Sequence, residues 1–119
     1  MQTKEQQRSA FALANIGDNL NSEEANFWVG LPTLILENGL GQSMAFLMSK
    51  AKKADKHQKA VNIIRKWLNQ EKFIASNSDR DFLQKLTECD QHAYLQAQQE
   101  SMNMLCWMKR YAKAFEEKK

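Results

Sequence analysis

Proline occurs once in this 119-residue chain and glycine four times. Val, Ile and Thr together number 10, against 25 Ala and Leu. A chain this poor in turn punctuation and β-branched residues does not supply the strands and hairpins of a sheet protein, so the expected fold class is all-α. Cysteine is also scarce. Cys89 and Cys106, 17 positions apart, make no disulfide framework and point to a reducing, cytoplasmic setting. No uninterrupted apolar run approaches the roughly 18 residues that mark a spanning helix, so no membrane partner is expected. The opening stretch Met1-Gln-Thr-Lys-Glu-Gln-Gln-Arg8 is polar and has no signal-peptide core behind it, in keeping with a cytoplasmic protein. The length fits a single helical domain over residues 1–119.

Apolar residues make up 43% and charged residues 26%, ordinary values for a globular chain. The net charge of +3 hides a strong segregation. Residues 1–49 carry 2 basic and 5 acidic side chains, and residues 73–108 repeat those numbers. Residues 50–72 carry 8 basic against 2 acidic, and residues 109–119 carry 5 against 2. Two basic blocks separated by acidic stretches create a local field suited to a polyanion.

Apolar spacing predicts a bundle of five to six helices. The first runs from about Lys4 to Ile16, with Phe11, Leu13, Ala14 and Ile16 as its apolar stripe, and stops at Gly17-Asp18. Asn21-Ser22-Glu23-Glu24 starts the second with a capping oxygen and acids at the positive helix end. Gly30 and Pro32 predict a kink or a break near Leu31. Asn38-Gly39 forms a tight corner into a third helix, Gly41 to about Ser49. Lys50 to His57 reads either as a loop or as the start of the fourth helix, whose clear pattern covers Lys59 to about Gln70. A short fifth helix covers about Arg80 to Leu86. The last and longest carries the stripe Tyr94, Ala97, Ser101, Met104, Leu105, Met108, Tyr111, Ala112, Phe115, capped by Thr87 or Asp90. The expected core includes Leu34, Ile35, Leu36, Leu40, Phe46, Leu47, Val61, Ile64, Leu68, Leu105, Trp107 and Met108, with Trp67 in the core or at a contact. Trp28, Phe46 and Met102 are candidates for a partner-facing apolar patch.

No pattern of enzymatic chemistry emerges, and no cofactor, metal or small-molecule substrate is expected. Cys89, His92, Cys106 and His57 match no common zinc spacing, and Cys106, among Met104, Leu105 and Trp107, reads as a buried thiol. No serine sits in a nucleophile elbow, and no Cys/His pair carries a protease signature. Gly39-Leu-Gly41 lacks the lysine of a phosphate loop. What remains is the basic block. On a helix over 52–66, Lys52, Lys56, Lys59 and Lys66 fall within roughly 80° of one another, roughly 135° from Val61, Ile64 and Leu68. Lys53 adds to this cluster. Lys109, Arg110 and Lys113 form a second group on the last helix, on the flank away from Met108 and Tyr111. Such cations neutralise phosphates and make affinity steeply salt-dependent. The competing reading is a helical protein-interaction adaptor whose lysines only solubilise its surface.

The run Leu31-Pro-Thr-Leu-Ile-Leu-Glu-Asn-Gly-Leu-Gly-Gln-Ser-Met-Ala-Phe-Leu47 resembles the hallmark of the small all-helical subunit of Cmr-type (type III-B) CRISPR effector complexes. That hallmark is a proline-led apolar helix, an Asn-Gly-Leu-Gly corner and a helix ending Ala-Phe-Leu. Arg8 with Ala10 and Ala14, the Lys-Trp-Leu end of Ile64 to Leu68, and Met104-Leu-Cys-Trp-Met-Lys-Arg-Tyr-Ala112 are similar to further family segments in the same order. The resemblance spans residues 8–114. It implies a non-catalytic subunit whose copies stack into a filament along the crRNA-bearing backbone. It further implies partners in the repeating backbone subunit and the large subunit, and a basic surface turned to crRNA and target RNA, in support of antiviral defence. Arg8, Lys109, Arg110 and Lys113 are the RNA-contact candidates inside family segments. Lys52, Lys53, Lys56, Lys59 and Lys66 are candidates from charge alone.

Overall fold

Capping chemistry places most of the helix boundaries. In the computed structural model, which describes residues 1–52 and 55–118, six helices follow one another: α1 (Lys4–Asn15), α2 (Ser22–Asn38), α3 (Leu40–Lys50), α4 (Asp55–Gln70), α5 (Asp79–Glu88) and α6 (Gln91–Ala114). Thr3 and Gln6 close a reciprocal capping box at the start of α1. Asn21, Ser78 and Asp90 cap α2, α5 and α6 by accepting from the backbone N–H three residues on. Of the two caps proposed for the long helix, Asp90 is the one used. The fold class is all-α, and among the described residues the only β pairing is an isolated parallel bridge between Leu20 and Glu116. It ties the end of α6 to the α1–α2 connection, with Glu117 donating to the Leu20 carbonyl at 2.6 Å.

Of the two outcomes expected at Pro32, a kink or a break, the structure excludes the break. Helix α2 is continuous from Ser22 to Asn38 with the proline inside it. An interior proline costs about 3 kcal/mol. Trp28, Leu31 and Ile35 are all buried on the same side, and each contributes roughly 1.5–3 kcal/mol on burial. A break at Leu31 would turn part of that face away from α6, so packing outweighs the local preference.

The corner at Gly39 is built differently from an ordinary cap. Gly39 has φ +84°, a conformation L side chains rarely adopt, and α3 has no side-chain cap of its own. Helix α6 supplies the missing acceptors. The Leu40 N–H donates to Gln98 Oε1 at 2.9 Å and the Gly41 N–H to the Tyr94 hydroxyl at 2.8 Å. Each satisfies a first-turn donor that would otherwise be orphaned.

The core draws on all six helices, with Phe11, Ile35, Leu40, Met44, Leu47, Ile64, Trp67, Phe82, Met104 and Met108 buried. Helix α6 is the spine and packs most extensively on α2, then on α1. The radius of gyration is 13.9 Å, close to the roughly 13.5 Å of a compact chain of this length. Several core expectations need correcting. Leu36 is 67% and Phe46 46% exposed, because the buried faces of α2 and α3 point elsewhere. On α1, Phe11 and Ala12 face inward, while Leu13 and Ala14 are exposed. Trp28 is core, not a contact residue, and Trp67 is fully buried. Trp107 is only half-buried. Cys106 is exposed rather than buried, and Cys89 is the residue that ends α5, not part of the long helix.

Candidate functional site

Helix α4 begins at Asp55, so the lysine fan is shorter than the sequence reading drew it. Lys52 lies outside the helix, in the turn after α3, and is exposed. Lys53 lies outside the described residues. Lys56 is half-buried, with its ammonium 2.5 Å from Glu23 and 5.6 Å from the Phe27 ring centroid. Lys59 and Lys66 are exposed. Seven residues apart, they lie on one line along the helix about 10 Å apart, roughly 120° around it from Ala60, Ile64 and Trp67. Arg65 points another way and clasps Asp79 at 2.8 Å, fastening α4 to α5.

On α6, Arg110 and Lys113 are exposed and Lys109 is half-buried; Arg110 stands next to α1, lining one depression with Glu5, while helical spacing puts Lys109 and Lys113 on the far side of α6 from Trp107 and Tyr111. Lys113 shares its charge with Glu116 at 2.6 Å. Among the described residues, no carboxylate pairs with Lys52, Lys59, Lys66, Lys109 or Arg110.

Arg8 sits behind this surface rather than on it. Its Nε and Nη2 donate to the two oxygens of Glu100 at 2.7 and 2.8 Å, and its Nη1 donates to Glu5 at 2.6 Å. Glu100 is 4% exposed and also accepts from the Trp67 indole at 2.9 Å. Burial alone would raise the Glu100 pKa. The hydrogen bonds from Arg8 and Trp67 outweigh it and hold the carboxyl below the usual range, and the same contact raises the pKa of Arg8. The pair fastens α1 to α6 and, through Trp67, to α4. Sequence reasoning missed this role, although a signal is present. Glu100 is an acid inside the apolar stripe, three residues after Ala97 and four before Met104, where only a paired carboxylate is tolerated.

Helix α1 lies between Lys66 of α4 and Arg110 of α6. On one edge the Lys66 ammonium stands 5.9 Å from the Phe11 ring centroid, and Lys4 pairs with Glu71. On the other edge the Trp107 indole donates to Glu5 at 3.1 Å, and the Tyr111 and Ser9 hydroxyls share a hydrogen bond at 2.5 Å. Lys66 and Arg110 therefore flank a helix whose own charges, Lys4, Glu5 and Arg8, are each engaged within the chain.

Among the described residues, no group of three His, Cys, Asp or Glu side chains stands close enough to hold a metal ion. His57 packs edge-on against Phe27, with ring centroids 4.9 Å apart. Every resolved pKa displacement, at Arg8, Glu23, Glu100 and Glu116, arises mainly from ion pairing and burial. No described helix is long and apolar enough to cross a membrane.

No individually curated protein matches the chain significantly. A family model described as CRISPR-associated protein (Cas_Cmr5) matches residues 4–115, from the first residue of α1 to one residue beyond α6. The match takes in the capped α1, the Gly39 corner and the whole spine helix. The chain therefore belongs to the Cas_Cmr5 family and is a subunit of a Cmr-type (type III-B) CRISPR complex.

Proposed function

We propose that this chain is a non-catalytic structural subunit, a single helical domain over residues 1–119. It stacks with copies of itself alongside the repeating backbone and large subunits of a cytoplasmic Cmr complex. It contacts crRNA and target RNA through phosphates, in support of RNA-guided antiviral cleavage carried out elsewhere in the assembly. The observation that carries the RNA contact is the set of cations that no carboxylate engages among the described residues: Lys59 and Lys66 on α4, Lys109 and Arg110 on α6, with Lys66 and Arg110 on either edge of α1. Lys52 and Lys113 extend the two groups, and Lys53 adds charge by sequence. Arg8 and Lys56, each engaged by a carboxylate, contribute field rather than direct contacts. Binding through phosphates needs no base readout here, because guide–target pairing supplies sequence.

Binding of labelled single-stranded and duplex RNA at two salt concentrations tests this reading. The wild type binds weakly at low salt and loses affinity steeply as salt rises. Replacing Lys109, Arg110 and Lys113 by glutamine flattens the salt slope by about 0.7–0.9 for each phosphate contact removed. No binding at low salt and high protein concentration overturns it in favour of an adaptor without an RNA role.

A further inference from the structure

Beside the cationic edge of α6 the surface opens into a depression of about 470 Å³ lined by Glu5, Asn103, Cys106, Trp107 and Arg110. Trp107 and Glu5 also line a second depression along α1, so the indole stands between the two. Trp107 is held in place. Its Nε1–H donates to Glu5 at 3.1 Å, and its ring lies against Tyr111, centroid to centroid 5.7 Å. Glu5 is in turn held by Arg8, so its charge is opposed where it faces the depression. Trp28 and Trp67 are 3% and 0% exposed, which leaves Trp107 as the indole that meets solvent.

We propose that this depression takes a nucleobase of single-stranded RNA, stacked on Trp107, with its ribose-phosphate against Arg110. The inference rests on the RNA-binding reading and adds a base contact to it. Three features select a nucleobase. A fixed indole offers a flat apolar surface whose ordering cost is already met by the fold. On the rim stands the Arg110 guanidinium, which has no carboxylate partner among the described residues and is placed for the phosphate of the stacked nucleotide. Asn103, one turn before Trp107, brings amide N–H donors for an acceptor on a base edge, its oxygen being held by Gln99 Nε2 at 2.9 Å. A free phosphate has no use for the indole, and an aliphatic protein segment has none for the guanidinium. Aromatic platforms beside cations are the general means of holding single strands without sequence preference.

The test compares an adenylate hexanucleotide with an abasic ribose-phosphate chain of the same length, on the full-length protein. The intact strand quenches tryptophan emission and binds roughly five- to hundred-fold more tightly than the abasic one, the range that base–aromatic stacking supplies. W107L abolishes that difference while leaving the affinity for the abasic chain unchanged, and W107F retains most of it, both read by anisotropy of labelled RNA. Equal binding of the two strands to the wild type overturns the base pocket while leaving the phosphate reading intact. Absence of binding to either strand at low salt overturns both. A change in emission that follows protein concentration and ignores RNA overturns the base pocket and assigns this face to a second copy of the chain. Should W107L fail to fold, the wild-type comparison of the two strands decides the matter alone.

Discussion

Among the described residues Glu100 is the one buried charged side chain. It accepts from Nε and Nη2 of Arg8, and it takes the Trp67 indole as well. Replacing both partners of such a pair by apolar groups is often tolerated, whereas removing one leaves the other's charge buried and uncompensated. Arg8→Ala is therefore expected to destabilise by about 3 kcal/mol, measured as a shift in urea midpoint at constant slope. Glu100 also sets a pH dependence. Its folded pKa is depressed, so the unfolded chain binds the proton more readily. The stability it contributes is complete above the unfolded carboxylate pKa of about 4.3 and is lost as pH falls below that value. Urea midpoints collected between pH 6 and pH 3 show a steeper acid decline in the wild type than in Glu100→Gln. Parallel declines contradict the assignment. Arg8, placed among RNA contacts by its position in a family segment, is seen to be engaged inside the protein, and no one-dimensional pattern of charges reveals that.

Helix α2 and its corner with α3 show how an element can obey packing against its own propensities. Gly30 and Pro32 both disfavour a helix interior, yet the helix runs through them. Gly30 is exposed, and a Cβ added there meets nothing within 4 Å. Gly30→Ala is accordingly expected to stabilise the protein by about 0.5–1 kcal/mol, visible as a rise in thermal midpoint. Gly39→Ala has the opposite sign. Its backbone is held at φ +84°, and the strain costs about 1–3 kcal/mol. Tyr94→Phe removes the acceptor of the Gly41 N–H and costs about 1 kcal/mol. If that variant matches the wild type in a denaturation curve, the hydroxyl is not a real cap for α3. The short run of Asn38-Gly-Leu-Gly41 is thus legible as a corner in sequence. Its partners on α6, more than 50 positions away, are not.

For the molecule as a whole, the two basic blocks of the sequence fall on α4 and α6, with Lys66 and Arg110 on either edge of α1. Charge segregation of this kind steers a polyanion over distances comparable to the Debye length of about 8–10 Å. Replacing Lys59 and Lys66 by glutamine is expected to lower RNA affinity by a factor that shrinks as salt rises, with no change in helix content by circular dichroism. A loss of affinity that is independent of salt argues that these lysines act on the fold and not on phosphate. The exposed Leu36 and Phe46 lie on α2 and α3, Phe46 with the Lys50 ammonium 5.6 Å from its ring centroid, and their exposure follows from which faces those helices turn to α6 and α4.

Helix content, caps and the stripe of α6 follow from local rules, because a helix closes its hydrogen bonds within four residues and its buried face repeats every 3.6. The scarcity of glycine, proline and β-branched residues was enough to exclude a sheet. Which of several apolar residues on one helix meets a neighbour is different in kind. Leu34 against Leu36, Phe11 against Leu13, and Trp67 against Trp107 have the same hydrophobicity or nearly so. Only the crossing of distant helices separates core from surface among them. The same holds for charge. Lys59 and Arg65 read alike in the chain, and it is the approach of Asp79 that ties one into the fold and leaves the other facing water.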